Sequence, residues 1–452
     1  KVLYQINDIF LLFRTIGVHL VSQASNDLSF TIVVDEEHAD RLSQLIHDMI
    51  IENSITQGCF GLSYAHEFSP KTTQHNEWWQ TKSSQLQKKA QGNTPIYLYN
   101  HETLQQQAKS LLNCQALDQV FYAMKANANK DILTTFYQLG LGFECVSIYE
   151  VQTIVALFPD IAPQRILFTP NFAAKEEYAK AIEMGIYLTI DNLHPLTHWP
   201  ELFQQQSILL RVDPGFGEGH HKFVETGGDQ SKFGLSMANL DALKQAIQSC
   251  NANIIGLHAH SGSGIMNITN WERLAHKLIS LCEHFPTVRI IDLGGGLGIP
   301  DKHGQSLLDL QQLDNKLTAI KTQHPGLAFW MEPGRFLTAE SGVLCARVTQ
   351  VKQKSSFTYI GIDAGMHTLI RPALYGAYHQ IINLTRTHQP TKYLAHIVGP
   401  ICESGDIIGH SRWMPETQEG DIILIATVGA YGSSMSSQYN MRPLAQEAVL
   451  VD

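Results

Sequence analysis

The chain has 452 residues, of which 44% are hydrophobic and 16% are charged. This composition is typical of a globular protein with two or three domains and excludes a largely disordered one. The net charge of −10 argues against binding to nucleic acid or to an anionic membrane, and no apolar run reaches the length of a membrane span.

Residues 1–66 predict a small α+β domain. Apolar residues recur at helical spacing near the start, alternate as in a strand over 28–34, and return to helical spacing over 42–50. The order helix, strand, strand, helix resembles an ACT regulatory domain that lacks its first strand. Dimerisation and ligand binding are equally compatible roles for such a domain. Residues 67–93 are polar and predict a linker, whose Trp78 and Trp79 we expect to dock on a neighbouring surface.

Residues 103–340 contain eight short apolar runs with segments of helical composition between them. Eight strands that alternate with helices are the number that closes a parallel β/α barrel. We therefore predict such a barrel, followed by a β-rich domain over 341–452 and preceded by a strand at 94–102 that joins the β-rich domain. The eight apolar runs are residues 120–124, 143–146, 166–169, 186–191, 208–212, 254–258, 290–293 and 328–331.

Polar residues follow each predicted barrel strand. Because the carboxyl ends of barrel strands line one mouth, these residues are expected to lie together at an active site. They include Lys125, Glu144, Ser147, Asn171, Asp191, Arg211, Asp213, His260, Ser263, Gly294, Gly295, Gly296, Glu332 and Arg335.

Lys125 ends the apolar run 120–124. At the tip of a buried strand, apolar walls disfavour the charged form of a lysine, so we expect its pKa to be lowered and its amine to be free. Such an amine can form a Schiff base with an aldehyde such as pyridoxal phosphate. The alternative is a lysine that only extends from the strand end into water.

Two loops after the last two predicted strands suit an anionic cofactor. Gly294, Gly295 and Gly296 lack side chains, so their backbone N–H groups can converge on a phosphate, although an isolated triple glycine is also compatible with a simple tight turn. Glu332 and Arg335 in the next loop place an acid and a guanidinium side by side. His220 and His221 raise the question of a metal, but neighbouring histidines on one loop rarely complete a site, and we predict none.

The order of motifs from about Thr94 to the C-terminus resembles the diaminopimelate decarboxylase family of fold type III pyridoxal-phosphate enzymes. The motifs are VFYAMKANAN, GFECVS, GLHAHSGSG, DLGGGLGIP, EPGRFLTAESG, RPALY, GPICESGD and GAYGSSMSSQYNMRP. The resemblance implies decarboxylation of meso-2,6-diaminopimelate to L-lysine and CO2, the last step of lysine biosynthesis. Together with the ACT-like head, it resembles bifunctional proteins that fuse an aspartokinase to this decarboxylase.

The resemblance also implies roles for single residues. Lys125 would form the Schiff base, and Cys402 would return the proton across the interface of a homodimer. Glu332 would pair with the ring nitrogen, and His260 would stack on the ring. The residues implied to bind the cofactor are Lys125, Glu144, His260, Ser263, Gly294, Gly295, Gly296, Glu332, Arg335 and Tyr431. Those implied to bind substrate are Arg335, Arg371, Tyr375, Glu403 and Tyr431.

Several alternatives remain open. Decarboxylases of ornithine, arginine and carboxynorspermidine share the lysine, GGG and EPGR features, but Arg371 and Glu403 suit the carboxylate and ammonium at the far end of diaminopimelate. A non-catalytic homologue that binds pyridoxal phosphate and an amino-acid racemase are the other candidates. Seven scattered cysteines without a CxxC pair favour a cytoplasmic protein. The chain begins inside a helix-like pattern, which we interpret as a fragment or a processed product.

Overall fold

The computed structural model describes residues 18–23, 30–47, 77–217, 231–300, 306–354 and 357–451. The chain divides into two compact units, Lys1–His75 and Asn76–Asp452. In the first unit, strand β1 (Val18–Gln23) pairs antiparallel with β2 (Phe30–Val34), and helix α1 (Glu36–His47) follows. The helix predicted before β1 lies outside the described residues. The order strand, strand, helix that is described here occurs in many small α+β folds, so the ACT resemblance stays a prediction.

The second unit contains the predicted barrel, and all eight strands are confirmed. They run parallel in sequence order, and the last strand pairs with the first to close the barrel. The strands are β4 (Gln119–Ala123), β5 (Gly142–Cys145), β6 (Ile166–Phe168), β7 (Tyr187–Ile190), β8 (Ser207–Arg211), β9 (Asn253–His258), β10 (Ile290–Asp292) and β11 (Ala328–Met331).

Helices connect the barrel strands and cover them on the outside. Their buried faces carry the apolar residues that the helical spacing required, such as Ile132 and Phe136 on one helix. The helices from the start of the barrel to its end are α4 (His101–Leu112), α5 (Lys130–Gln138), α6 (Ile148–Leu157), α7 (Lys175–Glu183), α8 (His194–His198), α9 (Leu240–Cys250), α10 (Thr269–Leu281), α11 (Leu310–Gln323) and α12 (Arg335–Thr338).

The interior of the barrel is apolar in its middle and becomes polar toward the carboxyl ends of the strands. Side chains alternate between the two faces of a strand, so residues two apart point the same way. One large residue from each of five strands points inward, and together these residues form one buried cluster. They are Phe121, Leu167, Leu209, Ile290 and Trp330. Two positions further along most of these strands stand polar residues, which are Thr169, Arg211, Asp292 and Glu332. The alternation thus carries polar side chains to the mouth.

The β-rich domain is also confirmed. Its strands form a sheet in the order β14-β17-β12-β13-β15-β16, and β3 (Ile96–Asn100) pairs with β12 and β18, as expected for the segment before the barrel. The other strands are β12 (Gly342–Lys354), β13 (Phe357–Ile362), β14 (Ile381–Asn383), β15 (Tyr393–Val398), β16 (Ile407–Met414), β17 (Ile422–Ile425) and β18 (Gln446–Leu450). A short helix, α13 (Arg371–Tyr375), lies between β13 and β14.

The described part of the polar stretch before β3 is helical. Helices α2 (Trp78–Thr81) and α3 (Ser83–Ala90) bury Trp79 and Leu86 in the same apolar cluster as residues of the β-rich sheet. The Trp78 indole N–H donates to the carbonyl of Glu340 at 2.8 Å. Both tryptophans therefore pack as expected, and the helices hold the segment against the sheet. Among the described residues, the helices are all too short or too polar to cross a bilayer.

Candidate active site

Lys125 lies just beyond the first barrel strand, in a single 3-10 turn over Met124–Ala126. Its Nζ is 2.5 Å from Oε2 of Glu144, which lies on β5 in register with Ala123 of β4. The Lys125 side chain is 39% exposed, so the amine opens toward the mouth of the barrel. The hydroxyl of Thr169 donates to the other oxygen of Glu144 and fixes that carboxylate.

The expected lowering of the Lys125 pKa is wrong. Burial alone lowers the pKa of Lys125, but Glu144, Tyr431 and Glu332 together outweigh burial and raise it above its usual value. A nearby carboxylate stabilises the charged form more strongly than the apolar walls of the strand destabilise it. In this structure the amine is therefore an ammonium ion paired with Glu144, and it becomes a nucleophile only after that proton leaves.

Glu332 follows β11 and is 6% exposed. Its Oε2 is 3.3 Å from Nε2 of His258, which is at the end of β9. Its Oε1 is buried and receives no hydrogen bond from an N–H or hydroxyl group of the described residues. Asp292, at the end of β10, lies in the same buried cluster. Neither His258 nor Asp292 was among the sequence candidates.

The three glycines after β10 allow a close approach of three loops. A Cβ on Gly295 would lie 2.3 Å from the carbonyl oxygen of Glu332, and one on Gly296 would lie 2.4 Å from that of Gly262. Gly294 and Gly296 have φ values of +60° and +89°, which L-residues with side chains rarely adopt. Glycine is therefore required here, and the loop exposes backbone rather than side chains to the mouth.

Ser263, Arg335 and Tyr431 come together beside this loop, as the resemblance implied. Nε and Nη2 of Arg335 both donate to Oγ of Ser263 at 3.3 Å. The Arg335 guanidinium carbon is 5.1 Å from the centre of the Tyr431 ring. The N–H of Tyr431 donates to the carbonyl of Ala126 at 2.8 Å, which connects this tyrosine to the turn that carries Lys125.

His260 lies at the same mouth with one ring nitrogen facing the glycine loop. The N–H of Gly295 donates to its Nδ1 at 3.2 Å, so the proton of the neutral ring is on Nε2. Burial lowers the pKa of His260 to about 3, and the positive charges of Arg211 and Lys125 act in the same direction. The imidazole is thus neutral, as a ring that stacks on an aromatic cofactor should be.

Arg211 is also part of this mouth, as expected from its position at the carboxyl end of the fifth barrel strand. Its guanidinium carbon is 4.5 Å from the centre of the Phe233 ring. Burial lowers its pKa, and the carboxylates of Glu332 and Asp191 counteract this effect. The arginine therefore adds a buried positive charge to a mouth that holds several acids.

Arg371 begins helix α13 in the β-rich domain and is 4% exposed. Its Nη1 is 3.3 Å from Nε2 of His379, and Nδ1 of His379 is 3.0 Å from the carbonyl oxygen of Ala426. A carbonyl only accepts, so Nδ1 carries the proton and Nε2 accepts from Arg371. Burial, with Arg371, lowers the pKa of His379 to about 3. Tyr375 ends the same helix and is partly buried.

Cys402 and Glu403 are on an exposed loop between β15 and β16. The Asn440 side-chain amide donates to Sγ of Cys402 at 3.2 Å, and the Tyr439 hydroxyl donates to Glu403 at 2.7 Å. The hydrogen bond to Glu403 raises the pKa of Tyr439 to about 12. Asn440 and Met441 both have positive φ values near 54°, although neither is glycine. The contacts of Asn440 and Tyr439 were not expected from the sequence.

Comparison with known proteins identifies the fold and the family. Residues 101–339 match the family model described as "Pyridoxal-dependent decarboxylase, pyridoxal binding domain". The diaminopimelate decarboxylase of Methanothermobacter thermautotrophicus is 34% identical over 373 residues, which cover 79% of this chain and 86% of the relative. The enzyme of Escherichia coli K12 is 32% identical and covers 82% and 91%, respectively. The chain belongs to the diaminopimelate decarboxylase family.

A solved member of the family agrees in three dimensions. The structure of diaminopimelate decarboxylase from Helicobacter pylori, complexed with L-lysine, matches with a TM-score of 0.73 and 30% identity over 81% of this chain and 94% of that one. The cofactor of the present chain is pyridoxal 5'-phosphate, because the family model that matches residues 101–339 describes a pyridoxal-binding domain.

The residues present fit that cofactor. No N–H or hydroxyl group of the described residues donates to the buried Oε1 of Glu332, and because a carboxylate oxygen can accept two hydrogen bonds, a protonated ring nitrogen would have an acceptor there. The glycine loop offers backbone N–H groups where any side chain would collide, and Arg335 adds a charge for a phosphate. Lys125 provides the amine for the aldehyde. These are the groups that would hold the cofactor in the diaminopimelate decarboxylase site.

Proposed function

We propose that this protein decarboxylates meso-2,6-diaminopimelate to L-lysine and CO2 with pyridoxal phosphate. The main support is the arrangement at the barrel mouth, where Lys125, the glycine loop and Glu332 lie on neighbouring elements. Membership of the diaminopimelate decarboxylase family supports the same reaction. When bound, pyridoxal phosphate supplies an electron sink for the carbanion left after CO2 is lost.

The chain's own residues bind and orient the reacting groups. Burial raises the pKa of Glu332, but His258, Lys125 and His260 together outweigh burial and lower the pKa below its usual value, which favours the anion. An anion at this position keeps a ring nitrogen protonated. Glu144 holds the Lys125 ammonium when the lysine is not covalently bound, and neutral His260 provides a flat surface for the ring.

Substrate choice rests on Arg371 and Glu403. A guanidinium forms paired, charge-assisted hydrogen bonds with a carboxylate, and a carboxylate accepts from an ammonium. Diaminopimelate has both groups at the end that does not react, whereas ornithine has only the ammonium. His379 accepts from Nη1 of Arg371 at 3.3 Å and so helps to orient the guanidinium. Tyr375, Arg335 and Tyr431 complete the proposed substrate site.

Cys402 is the proposed proton donor, and we propose that it acts in the other subunit of a homodimer. In one chain this thiol is exposed and held by Asn440. A two-fold dimer buries the same loop twice and forms two identical sites from one interface. Each site then combines the lysine of one subunit with the thiol of its partner.

The reaction is tested by CO2 release from purified protein supplied with pyridoxal phosphate. We expect turnover of meso-diaminopimelate to exceed that of ornithine, arginine and carboxynorspermidine by at least about a hundredfold, because a missing charged partner leaves buried groups unpaired. Equal or faster turnover of ornithine would contradict the substrate assignment. Racemisation without CO2 release would contradict the reaction, and cofactor binding without either activity would indicate a non-catalytic homologue.

Subunit sharing is tested by mixing two inactive variants, Lys125→Ala and Cys402→Ala, under conditions of subunit exchange. If sites are shared, each mixed dimer regains one site with both residues. Half of the dimers are mixed, so we expect roughly a quarter of the wild-type activity to return. If one chain forms each whole site, every site stays defective and no activity returns.

The first unit and the cellular location complete the proposal. The strand–strand–helix order of β1, β2 and α1 supports an ACT-like regulatory unit, and lysine binding to the whole chain, lost on deletion of residues 1–75, tests it. The fusion to an aspartokinase stays a prediction. The cysteines among the described residues are all free, which supports a cytoplasmic location.

A further inference from the structure

Three neighbouring barrel strands end in inward-facing polar residues that form a buried cluster. Asp292 is in register with His258 on β9, and Glu332 follows the end of β11 on the other side. One side-chain atom from each residue lies within 4.8 Å of the other two. The exposed fractions of His258, Asp292 and Glu332 are 1%, 0% and 6%. The proposed function uses only Glu332, so the other two residues need an explanation.

The cluster has more acceptors than donors. Oδ1 of Asp292 accepts from the N–H of Gly294 at 2.9 Å. Its Oδ2 is buried, and no N–H or hydroxyl group of the described residues donates to it. Oε1 of Glu332 is in the same situation. Two adjacent ionised carboxylates in a buried site are strongly unfavourable, and buried polar atoms normally have partners. One proton on one of the two acids removes both problems.

The surroundings place that proton on Asp292. Glu332 has His258 at 3.3 Å and the positive charge of Lys125 nearby, both of which favour its ionised form. Asp292 is fully enclosed, and among the described residues one backbone N–H, that of Gly294, donates to its carboxyl group. Burial and the neighbouring charge of Glu332 accordingly raise the pKa of Asp292 well above its usual value.

We propose that Asp292 is a neutral carboxylic acid that donates a hydrogen bond to the Glu332 carboxylate. Asp292 and His258 are then positioning residues, which hold Glu332 from two sides and leave one acceptor site for the ring nitrogen of pyridoxal phosphate. The proposal depends on the proposed function only in that last respect. The protonation of Asp292 itself is a property of the protein without cofactor.

The first test is infrared difference spectroscopy of the cofactor-free protein at neutral pH. We expect the carbonyl band of a protonated carboxylic acid in the wild type and its loss in Asp292→Asn. The matched control is Asp314→Asn, since Asp314 is also buried but accepts from the N–H groups of Gln115 and Ala116 at the opposite end of the barrel. A band that survives Asp292→Asn, or that Asp314→Asn removes equally, would overturn the proposal.

The second test is the dissociation constant of pyridoxal phosphate. Asn matches a protonated Asp in shape and in its donor, so Asp292→Asn should stay within about twofold of the wild type, whereas Asp292→Ala should weaken binding roughly tenfold or more. His258→Gln, which keeps a donor, should bind more tightly than His258→Leu. Equal weakening in Asp292→Asn and Asp292→Ala would mean that the negative charge of Asp292 is needed, and the proposal would be wrong.

The same samples separate the remaining outcomes. A stoichiometric divalent cation in the purified wild type, lost in Asp292→Asn, would show that the three residues bind a metal and would overturn the proposal. Failure of the wild type to bind pyridoxal phosphate would contradict the proposed function, while the infrared result would still decide the state of Asp292. If Asp292→Ala does not fold, the infrared comparison with Asp292→Asn decides alone.

Discussion

The cofactor side and the proton-donor side of the site differ in how far one chain completes them. Glu332 and Asp292 are 6% and 0% exposed and come from the rigid ends of neighbouring barrel strands. Cys402 and Glu403 are on an exposed loop, and the residues that contact them belong to a second loop. One chain therefore forms the cofactor side alone, whereas its thiol is open to solvent.

The exposed side also carries two residues in the left-handed backbone region. Asn440 and Met441 have positive φ values, which cost L-residues about 1 kcal/mol or more each. Met441 is 95% exposed, and several other large apolar side chains of the β-rich domain are about half exposed, among them Leu374, Trp413, Tyr439 and Leu444. Exposed apolar surface on this domain suits a covering partner subunit. The contrast between the two sides thus supports the homodimer proposal.

The largest expected effect is that of Lys125→Ala on the cofactor side. Activity should be abolished, and reduction with borohydride should no longer attach pyridoxal phosphate to the protein, as measured by mass spectrometry. The fold should remain, because the Lys125 side chain is 39% exposed and packs little. Lys175→Ala is the control, since Lys175 is an exposed lysine that also pairs with a glutamate. Normal turnover of Lys125→Ala would contradict the assignment of the Schiff-base lysine.

Cys402→Ala tests the other side. Loss of a positioned proton donor should lower kcat by about 10²–10⁴-fold. The dissociation constant of pyridoxal phosphate should stay within about twofold, because one chain completes the cofactor side without this loop. The comparison variant Glu332→Ala should instead raise the dissociation constant of pyridoxal phosphate. If Cys402→Ala weakened pyridoxal phosphate as strongly as Glu332→Ala, the two sides would not be independent.

The sequence was sufficient for the architecture and for the residues in sharp motifs. Eight apolar runs separated by helical segments predict the barrel because buried parallel strands need apolar side chains on both faces. Lys125, the three glycines and Glu332 stand directly after such runs, so the barrel geometry brings them to one mouth. These predictions depend on local pattern and on one rule of topology.

The remaining features depend on contacts between distant segments. Asp292 and His258 lie at the ends of their strands, inside runs that are otherwise apolar, and only the alternation from Ile290 and Gly256 shows that they point inward. The raised pKa of Lys125 depends on Glu144, which belongs to another strand. Asn440, which contacts Cys402, has a positive φ, and because it is not a glycine the sequence does not indicate that conformation.

Arg371→Ala should act on substrate and leave the cofactor side unchanged. Loss of a charge-assisted contact to the distal carboxylate should cost about 2–3 kcal/mol, which is roughly a 30- to 150-fold rise in KM for diaminopimelate. Arg347→Ala is the matched control, because Arg347 is a 60% exposed arginine of the same domain. Should pyridoxal phosphate affinity fall while KM stays constant, Arg371 would belong to the phosphate site instead.

The smallest expected effect is a change in acid stability when His379 is replaced. The folded-state pKa of His379 is lowered to about 3 from an ordinary value of 6.5, so the unfolded chain binds a proton that the folded chain does not. Stability from this residue is therefore complete above pH 6.5 and is lost as the pH falls toward 3, with a slope of at most about 1.4 kcal/mol per pH unit. His379→Gln, which has no such proton, should unfold in urea with a shallower loss of stability between pH 6.5 and 4. His388→Gln, a change at an exposed histidine, should keep the wild-type slope. Parallel curves for the wild type and His379→Gln would mean that His379 is already protonated in the fold, and the assignment of its Nε2 as the acceptor for Arg371 would fail.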